Sequence, residues 1–275
     1  MIQENAQVRT HETYRGDYRR LALDAPGIAP RVRPGQFVHI RLPAPSDAIL
    51  RRPFSVFRAE EGRVEILYKS VGRGTSAMRR LEPGDALDVL GPLGNGFPAA
   101  APEATPILVA GGYGMAALYL QARALPRKGV AFFGGRTAGD ILCVEDFEAL
   151  GWQVIITTED GSRGVRGRVT VALDAWMRGE GAAAAPEFFV CGPNPMLRAV
   201  GDRAIAAGRR AWISMDRHMG CGVGACLTCV QRISAPGTAE GWVWARVCRE
   251  GPVFEARNIA WDESDGDPGG EGTPP

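Results

Sequence analysis

The sequence predicts a multidomain β plus α/β protein: an N-terminal antiparallel β-barrel, a parallel-sheet α/β domain and a small C-terminal domain rich in cysteine. Short runs of alternating apolar and polar residues occupy the first part of the chain, which is typical of a barrel. Strand and helix patterns then alternate, and four of the six cysteines follow close together. The expected domain limits are 1–101, 102–213 and 214–261, with a disordered acidic tail at 262–275.

Two alternating runs define the barrel best. They cover residues 36–42 and 63–69, and a Pro-Gly turn precedes the first run and follows the second. Because successive side chains of a strand point to opposite faces, such alternation places one apolar face on a core. A short helix is expected at 75–81 with Thr75 or Ser76 as its N-cap, since a hydroxyl there accepts a hydrogen bond from a free backbone N–H.

The middle of the chain alternates between apolar strand patterns and helical patterns. The strand candidates are 106–110, 130–133, 153–157, 187–190 and 211–215, and the helix candidates include 115–125 and 194–207. A strand that is followed by a crossover helix pairs in parallel with another strand of the same sheet. The alternation therefore predicts a parallel sheet covered by helices. One short strand is expected later, at 243–247.

Four cysteines form the most specific motif. Their spacing is C-x4-C-x2-C, then a fourth cysteine after eighteen residues, and it is close to the plant-type pattern that holds a [2Fe–2S] cluster. The candidate ligands are Cys221, Cys226, Cys229 and Cys248. Neighbouring glycines let the backbone approach an inorganic core and point N–H groups at sulfur. A structural zinc site with His218 as a substitute ligand stays open, while Cys143 and Cys191 lie outside the motif.

Two segments of the predicted barrel are candidate ligand sites. Residues 52–55, Arg-Pro-Phe-Ser, combine a guanidinium, a rigid proline and a hydroxyl, which suits a pyrophosphate beside a flat ring. Arg-Arg-Pro is also an ordinary surface sequence. Gly74 and Thr75 lie at a predicted helix N-terminus, where free N–H groups suit an anion, and a plain glycine turn is the alternative.

Two turns of the predicted α/β domain follow strands and open helices. The first contains Gly111, Gly112 and Gly114, and the second contains Cys191, Gly192 and Pro193. A strand, a glycine turn and a helix provide the setting for dinucleotide phosphates, at the strand ends where open α/β sheets bind ligands. The spacing G-G-x-G differs from the common G-x-G-x-x-G.

Composition excludes several classes of protein. The net charge is +1, so nothing indicates a nucleic-acid or membrane-surface partner. No apolar run reaches the about 20 residues of a membrane span, and the polar N-terminus has no signal-peptide core, so we expect a soluble cytoplasmic protein. The sequence contains no nucleophile–base constellation, and His11, His39 and His218 are expected to be structural or solvent-facing, so no catalytic residue is predicted.

Four motifs, taken in chain order, resemble those of ferredoxin–NADP reductase-type flavoproteins. They are Arg-Pro-x-Ser, Gly-Thr, Gly-Gly-x-Gly and Cys-Gly-Pro-x-Pro-Met. The cysteine motif, with Arg-Val-Cys-Arg-Glu-Gly-Pro-Val-Phe at 246–254, resembles the electron-transfer subunit family of NAD-dependent (type B) dihydroorotate dehydrogenase. The similarity runs over residues 5–261. It implies FAD in the barrel, NAD on the α/β domain and a [2Fe–2S] cluster in the last domain.

The resemblance also implies a role for each motif residue. The implied FAD contacts are Arg52, Pro53, Phe54, Ser55, Leu67, Tyr68, Lys69, Gly74 and Thr75. The implied NAD contacts are Gly111, Gly112, Gly114, Cys191, Gly192 and Pro193. The implied ligands of the cluster are the four cysteines of the motif.

The resemblance implies a partner as well: an FMN-containing dihydroorotate dehydrogenase catalytic subunit, in a heterotetramer of two of each. Electrons would pass from dihydroorotate through the cluster and FAD to NAD+, in pyrimidine biosynthesis. Closely similar subunits serve bifurcating transhydrogenases, sulfide dehydrogenases and sulfhydrogenases, and these alternatives stay open. A zinc-stabilised binding module without redox function is the alternative from another class.

The chain departs from the family pattern around its first glycine turn. Ala110, Tyr113 and Ala117 replace a glycine, an isoleucine and a proline. The lost proline costs little, because its fixed φ only pre-organised the turn. Tyr113 is bulkier, and we expect it to crowd the nicotinamide or stack on it. Arg136 follows the second α/β strand and is expected to be a surface residue, with contact to a 2′-phosphate as the alternative, so NAD and NADP both stay open.

Overall fold

The N-terminal part of the chain folds into one antiparallel sheet. The structure is a computed structural model, and it describes residues 1–42 and 49–261. The strands are β1 (Ile2–Arg15), β2 (Tyr18–Asp24), β3 (Phe37–Ile40), β4 (Arg52–Ser55), β5 (Arg58–Glu60), β6 (Arg63–Lys69) and β7 (Ala86–Leu93). Their order across the sheet is β4-β3-β7-β1-β2-β6-β5. The two alternating runs of the sequence form β3 and β6, as predicted.

The sheet curls into the predicted barrel. After β4, the N–H of Phe57 donates to the carbonyl of Glu65 on β6, so the chain turns from one edge strand towards the other. Leu21, Val38 and Ile66 are fully buried in the interior. Alternation along each strand therefore fills one core and leaves the outer face to solvent and to the neighbouring domain.

Between β6 and β7 the chain forms a short helix, α1 (Arg73–Ala77), followed by a 3₁₀ turn. Its N-cap is Gly72, so the expectation that Thr75 or Ser76 caps the helix is wrong. Thr75 is the third helical residue, and its Oγ1 accepts the N–H of Gly72 at 3.1 Å. A side chain that reaches back in this way satisfies a free N–H that the glycine itself cannot.

The α/β domain contains the predicted parallel sheet. Its strands are β8 (Thr105–Gly111), β9 (Val130–Gly135), β10 (Gln153–Thr158), β11 (Val165–Arg166), β12 (Pro186–Cys191) and β13 (Ala211–Ser214). They pair in parallel in the order β11-β10-β9-β8-β12-β13. All the strand candidates of this region are confirmed. Strand β11 was not predicted, because two residues are too few to show a periodic pattern.

Helices cover both faces of this sheet. They are α2 (Gly114–Ala124), α3 (Val144–Ala149), α4 (Val169–Arg178) and α5 (Asn194–Ala206), and the predictions of α2 and α5 are confirmed. Leu108 of β8 packs in one core with Leu118 and Phe147. The next residue of the strand, Val109, packs in the other core with Leu173. The strands are buried on both faces, as parallel sheets are.

The C-terminal segment folds onto the α/β sheet. After the hairpin of β14 (Val230–Ser234) and β15 (Trp242–Arg246), strand β16 (Val253–Glu255) pairs antiparallel with β13. The buried Cys229, Cys248 and Phe254 belong to the same core as Ile213 of β13. The segment 214–261 therefore shares both a sheet and a core with the preceding domain.

Within the described residues, no helix is long and apolar enough to cross a membrane. The longest of these helices, α5, has 13 residues, whereas a membrane span needs about 20. The acidic tail predicted at 262–275 lies outside the described residues.

Candidate cofactor cleft and cysteine loop

The two predicted nucleotide turns meet where the strand order of the α/β sheet reverses. Strand β8 pairs with β9 on one side and with β12 on the other, and Cys191 lies opposite Ala110 in register. The chain leaves β8 towards β9 and leaves β12 towards β13, in opposite directions across the sheet. At such a switch point the carboxyl ends of the strands form the crevice in which open α/β sheets bind ligands.

The turns touch so closely that glycine is required. A Cβ on Gly114 would lie 2.2 Å from the carbonyl oxygen of Cys191, and a Cβ on Gly192 would lie 3.0 Å from the backbone nitrogen of Gly111. Gly112 has a φ of 55°, in the left-handed region that glycine adopts without strain. The predicted glycines thus allow the two turns to pack backbone against backbone.

A cleft of about 980 Å³, partly open to solvent, lies between the barrel, the two turns and the segment that leads to the cysteines. The predicted FAD contacts that line it are Pro53, Phe54, Ser55, Leu67, Tyr68, Lys69 and Thr75. The predicted NAD contacts that line it are Cys191 and Gly192. The remaining predicted contacts are not in the lining: Arg52 and Gly74 in the barrel, and Gly111, Gly112, Gly114 and Pro193 in the turns.

The structure separates the roles of the two neighbouring arginines at β4. Arg51 donates to the carbonyl of Asp88 at 2.7 Å and forms a salt bridge with its carboxylate, which anchors β4 to β7. The Nε of Arg52 would instead lie 3.8 Å from a Cβ on Gly74. Arg52 therefore adjoins the first turn of α1, where backbone N–H groups have no partner within the helix. This combination of charge and free donors fits a pyrophosphate.

Lys69 joins the barrel to the α/β domain. Its Nζ lies 3.2 Å from Oδ1 of Asp140, and the hydroxyl of Tyr18 donates to the same oxygen at 2.9 Å. Burial alone would raise the pKa of Asp140, but these two hydrogen bonds hold it below its usual range. Sequence analysis did not identify Tyr18 or Asp140, because they are 122 residues apart and no local motif connects them.

His11 positions Tyr68 in the wall of the cleft. The Nδ1 of His11 lies 3.0 Å from the carbonyl oxygen of Leu81, so this nitrogen carries the proton and donates. Its Nε2 then accepts the hydroxyl of Tyr68, at 2.9 Å. Burial raises the pKa of Tyr68 to about 12, so the hydroxyl stays a neutral donor at physiological pH. The predicted structural role of His11 thus has a specific partner.

The four motif cysteines lie together in two neighbouring pairs. The N–H of Cys226 donates to Sγ of Cys221, and the N–H of Cys248 donates to Sγ of Cys229, each at 3.4 Å. Over residues 1–42 and 49–261, no three His, Cys, Asp or Glu side chains converge as one metal ion requires. His218 is exposed. Two pairs of thiols fit a group that contains two irons better than a single tetrahedral ion.

The loop around the cysteines points backbone N–H groups at sulfur. Sγ of Cys221 accepts the N–H groups of Val223, Ala225 and Cys226 at 3.2–3.4 Å. The hydroxyl of Thr228 donates to Sγ of Cys226 at 3.2 Å and is the main cause that lowers the pKa of that thiol to about 6. Thiolates are the ligands of iron, so these donors favour deprotonated sulfur at Cys226, whereas burial raises the pKa of the Cys248 thiol to about 12.

The cysteine loop rests on the barrel at His39. This histidine is fully buried on β3, and a Cβ on Gly222 of the loop would lie 2.5 Å from its Nδ1. Neither ring nitrogen makes a hydrogen bond of normal geometry within the described residues, although backbone atoms of Cys221 and Arg51 lie near the ring. Burial is the main cause that lowers the pKa of His39 to about 4, so the ring is neutral. His39 also lies opposite Pro53 in register, so the strand that touches the loop borders the strand that lines the cleft.

Sequence analysis did not identify several residues that line the cleft. Four of them, Met215, Asp216, Met219 and Pro252, follow β13 in the C-terminal segment. Their only sequence signal is position, since three of them fall between the last parallel strand and the first motif cysteine. Arg136 is exposed after β9, without a side-chain partner among the described contacts that would indicate its role.

Two family models match the chain. Residues 5–97 match the oxidoreductase FAD-binding domain, and residues 216–260 match the iron-sulfur cluster binding domain of dihydroorotate dehydrogenase B. The second match assigns the cysteine loop to an iron–sulfur domain and not to a zinc module. With the parallel sheet between them, these domains define a flavin- and iron–sulfur-type oxidoreductase with a ferredoxin-reductase-like fold.

Curated relatives narrow this class to one family. The chain is 40% identical over 237 residues to dihydroorotate dehydrogenase B (NAD(+)), electron transfer subunit, of Geobacillus kaustophilus (strain HTA426), which covers 82% of this chain and 86% of that protein. It is 35% identical over 266 residues to the subunit of the same name from Geobacillus sp. (strain WCH70), covering 94% and 99%. The chain belongs to the family of dihydroorotate dehydrogenase B electron transfer subunits.

Solved structures agree with this fold. The NADH-dependent reduced ferredoxin-NADP oxidoreductase, a structure that concerns flavin-based electron bifurcation, superimposes with a TM-score of 0.81 at 29% identity, covering 94% of this chain and 91% of that one. The ferredoxin reductase of carbazole 1,9a-dioxygenase superimposes with a TM-score of 0.61 at 21% identity, covering 76% and 66%. At that identity the likeness shows a shared fold alone.

Proposed function

We propose that this chain transfers electrons from an FMN-containing dihydroorotate dehydrogenase catalytic subunit to NAD+. The observation that carries the proposal is the meeting of three modules at one cleft: barrel strands, nucleotide turns and the segment that leads to the cysteines. Met219 lines the cleft and also belongs to the buried core that contains Cys229 and Cys248. The cysteine loop and the cleft are therefore joined by packed protein rather than by solvent.

FAD is the group that the barrel side of the cleft would hold. When bound, FAD takes up electrons one at a time and releases them in pairs as a hydride, which links an iron–sulfur cluster to NAD+. Residues 53–55 and 67–69 line the ring system in this proposal, and Lys69 stays bonded to Asp140. Arg52, with the N–H groups of Gly74 and Thr75, binds the pyrophosphate.

The paired cysteines would hold a [2Fe–2S] cluster. In this proposal Cys221 and Cys226 bind one iron, and Cys229 and Cys248 bind the other. Cys226 and the neighbouring Leu227 are exposed, so this edge of the loop is open to an approaching protein. That exposure supports electron entry at the cysteines from a partner subunit.

NAD+ would bind at the two turns of the α/β domain. Gly111, Gly112 and Gly114 form one turn, and Cys191, Gly192 and Pro193 form the other. Burial raises the pKa of Cys191 to about 12, so its thiol is neutral beside the cleft. Overall, dihydroorotate and NAD+ yield orotate, NADH and one proton, with the oxidation of dihydroorotate in the partner. Two copies of each subunit would form a heterotetramer in the cytoplasm.

A visible absorption spectrum of the anaerobically purified chain tests the proposal, together with assays for iron and flavin. We expect one FAD and two irons per chain, and bleaching of both sets of bands by NADH. The matched control is Cys226→Ser, which removes one exposed ligand and is expected to lower iron while flavin is retained. A chain that holds neither flavin nor iron would contradict the proposal.

A second function is favoured by one observation, the superposition on the NADH-dependent reduced ferredoxin-NADP oxidoreductase over almost the whole chain. In that alternative the same module serves a bifurcating transhydrogenase. Purification of the native complex separates the two. A flavoprotein partner whose FMN is reduced by dihydroorotate supports the first function, and reduction of the complex by reduced ferredoxin supports the second.

A further inference from the structure

Two side chains meet across the mouth of the cleft from different modules. Tyr113 is the N-cap residue of α2, in the first nucleotide turn, and Asp216 lies just after β13, in the segment that leads to the cysteines. The hydroxyl of Tyr113 donates to Oδ2 of Asp216 at 3.3 Å. Both residues line the cleft beside Cys191 and Gly192 of the second turn.

Asp216 retains hydrogen-bonding capacity in this position. Its Oδ1 accepts no hydrogen bond from the residues that the structure describes, and its side chain keeps access to solvent within the cleft. Desolvation by the surrounding protein atoms raises the pKa of Asp216, while the hydrogen bond from Tyr113 and the charges of His218 and Arg217 partly offset that effect. A carboxylate so placed is stabilised further by any donor that a ligand brings to Oδ1.

Asp216 is also the only acid in the described lining of the cleft. The only base there is Lys69, which is already bonded to Asp140 on the barrel side. The walls near Asp216 are neutral: the thiol of Cys191, the backbone of Gly192 and the side chain of Met215. The nucleotide side of the cleft therefore presents a single strong acceptor.

We infer that Asp216 recognises the carboxamide of the nicotinamide ring of NAD, and that Tyr113 positions Asp216 for this contact. The carboxamide NH₂ donates to the carboxylate, and the hydroxyl of Tyr113 holds the carboxylate across the cleft. The inference rests on the proposed function, which places the nucleotide at these two turns. Tyr113 then forms a wall of the nicotinamide site, and Asp216 is a binding residue that orients the ring.

The chemistry predicts selectivity for the amide. A site that accepts a hydrogen bond from the amide favours NAD+ over an analogue that lacks the donor, because with the analogue the carboxylate keeps only water as a partner on that side. 3-Acetylpyridine adenine dinucleotide replaces the amide NH₂ by a methyl group and keeps the positive ring and the rest of NAD+. ADP-ribose lacks the ring altogether and reports only on the turns that bind phosphate and ribose.

Calorimetric binding to the oxidised, anaerobic holoprotein tests the inference without turnover. The wild-type protein is expected to bind NAD+ about tenfold or more tightly than the acetylpyridine analogue, as charged hydrogen bonds require. In Asp216→Ala that preference should fall to about twofold or less, while affinity for ADP-ribose stays within about twofold of wild type. In Tyr113→Phe we expect a smaller loss of preference, about threefold, because the carboxylate is present but less well held.

Three results would overturn the inference. In the first, Asp216→Ala keeps the wild-type preference for NAD+. In the second, its affinities for ADP-ribose and NAD+ fall in parallel, which would assign Asp216 to the folding of the cleft. If wild-type protein binds neither NAD+ nor ADP-ribose, the proposed function fails too. Asp216→Asn retains an acceptor and the shape of the side chain, and an intermediate preference in that variant supports the inference.

Discussion

Single positions around the cysteines are limited by backbone geometry and close contact. Gly222 has a φ of 72°, and a Cβ there would lie 2.5 Å from Nδ1 of the fully buried His39. The motif alone predicts that glycine is useful in such a loop. It does not predict that the obstacle is a histidine of the barrel, because His39 precedes the loop by most of the chain.

Gly222→Ala is therefore expected to displace the loop and lower its iron content. The added methyl meets a ring that cannot move, and together with the positive φ this costs about 2–3 kcal/mol. The measurements are iron per chain and the free energy of unfolding. Gly241→Ala is the matched control, since its φ is 73° with nothing within 4 Å of the added Cβ. Equal losses in the two variants would contradict the role of His39.

The arginines at β4 show what sequence reasoning resolves at this scale. The motif Arg-Pro-x-Ser selects Arg52, because it is the arginine next to the proline, and says nothing of Arg51. The fold adds that Arg51 is bonded to Asp88 on β7 whereas Arg52 adjoins Gly74. The difference arises from strand pairing, which alternates the direction of successive side chains.

At the scale of elements, two strand-to-helix turns form one site because their strands are neighbours. The glycines in each turn are visible in the sequence, and so is the setting of strand, turn and helix. The contact between the turns depends on the sheet order, in which β12 pairs directly with β8. Since β9, β10 and β11 lie between β8 and β12 in the chain, this adjacency cannot be deduced from chain order.

Gly114→Ala tests the contact between these turns. The Cβ would lie 2.2 Å from the carbonyl oxygen of Cys191, so the turns must separate. We expect affinity for NAD+ to fall about tenfold and stability by about 1–3 kcal/mol, with unchanged flavin content. Titration calorimetry measures the affinity, urea unfolding measures the stability, and the flavin absorbance measures the flavin content. Gly139→Ala, where the Cβ would make an ordinary contact of 3.4 Å, serves as the control. Unchanged affinity in Gly114→Ala would disprove the constraint.

The hydrogen bonds of Asp140 link the barrel to the α/β domain, and their effect depends on pH. The pKa of Asp140 is lower in the folded protein than in the unfolded chain. The charge of Asp140 therefore contributes to the free energy of unfolding at pH values above the pKa of the unfolded chain, about 3.9. This contribution is lost as the pH falls below that pKa. Asp140→Asn should lower the free energy of unfolding by about 1–2 kcal/mol at pH 7, and by less as the pH falls below about 4.

Urea unfolding of the wild-type protein and of Asp140→Asn, at pH 7 and at a pH below about 4, measures this change in stability. Asp17→Asn, at an exposed position in the turn between β1 and β2, is the control and should change stability by less than about 0.5 kcal/mol. A loss in Asp140→Asn that does not vary with pH would show that charge is not its cause.

At the scale of the whole molecule, the C-terminal segment completes the α/β domain. Strand β16 pairs with β13, and Phe254 and Ile259 are buried in the core that also contains Val200 of α5. After the cysteine loop, the chain therefore returns to the α/β sheet that it left at the end of β13. This return holds the loop beside the cleft and the barrel.

A chain that ends at Ser214 should therefore be unstable as well as free of iron. It loses β16 and exposes the apolar face of β13 and α5, which is expected to cost about 5 kcal/mol or more. A chain that ends at Trp261 retains every described element and should unfold at the wild-type temperature. Thermal unfolding and the soluble yield measure the effect. A stable truncated chain would show that the α/β domain is complete without its last strand.

The sequence by itself determined the classes of element, the two glycine turns, the cysteine motif and the family. These features depend on residues close together in the chain: periodicity follows from local backbone geometry, and motif spacing follows from the size of the bound group. The tertiary structure alone decided which distant residues share a site. Tyr18 reaches Asp140, Tyr113 reaches Asp216, and His39 lies under the cysteine loop because of strand order and core packing. Such contacts join positions far apart in the chain, and no local pattern records them.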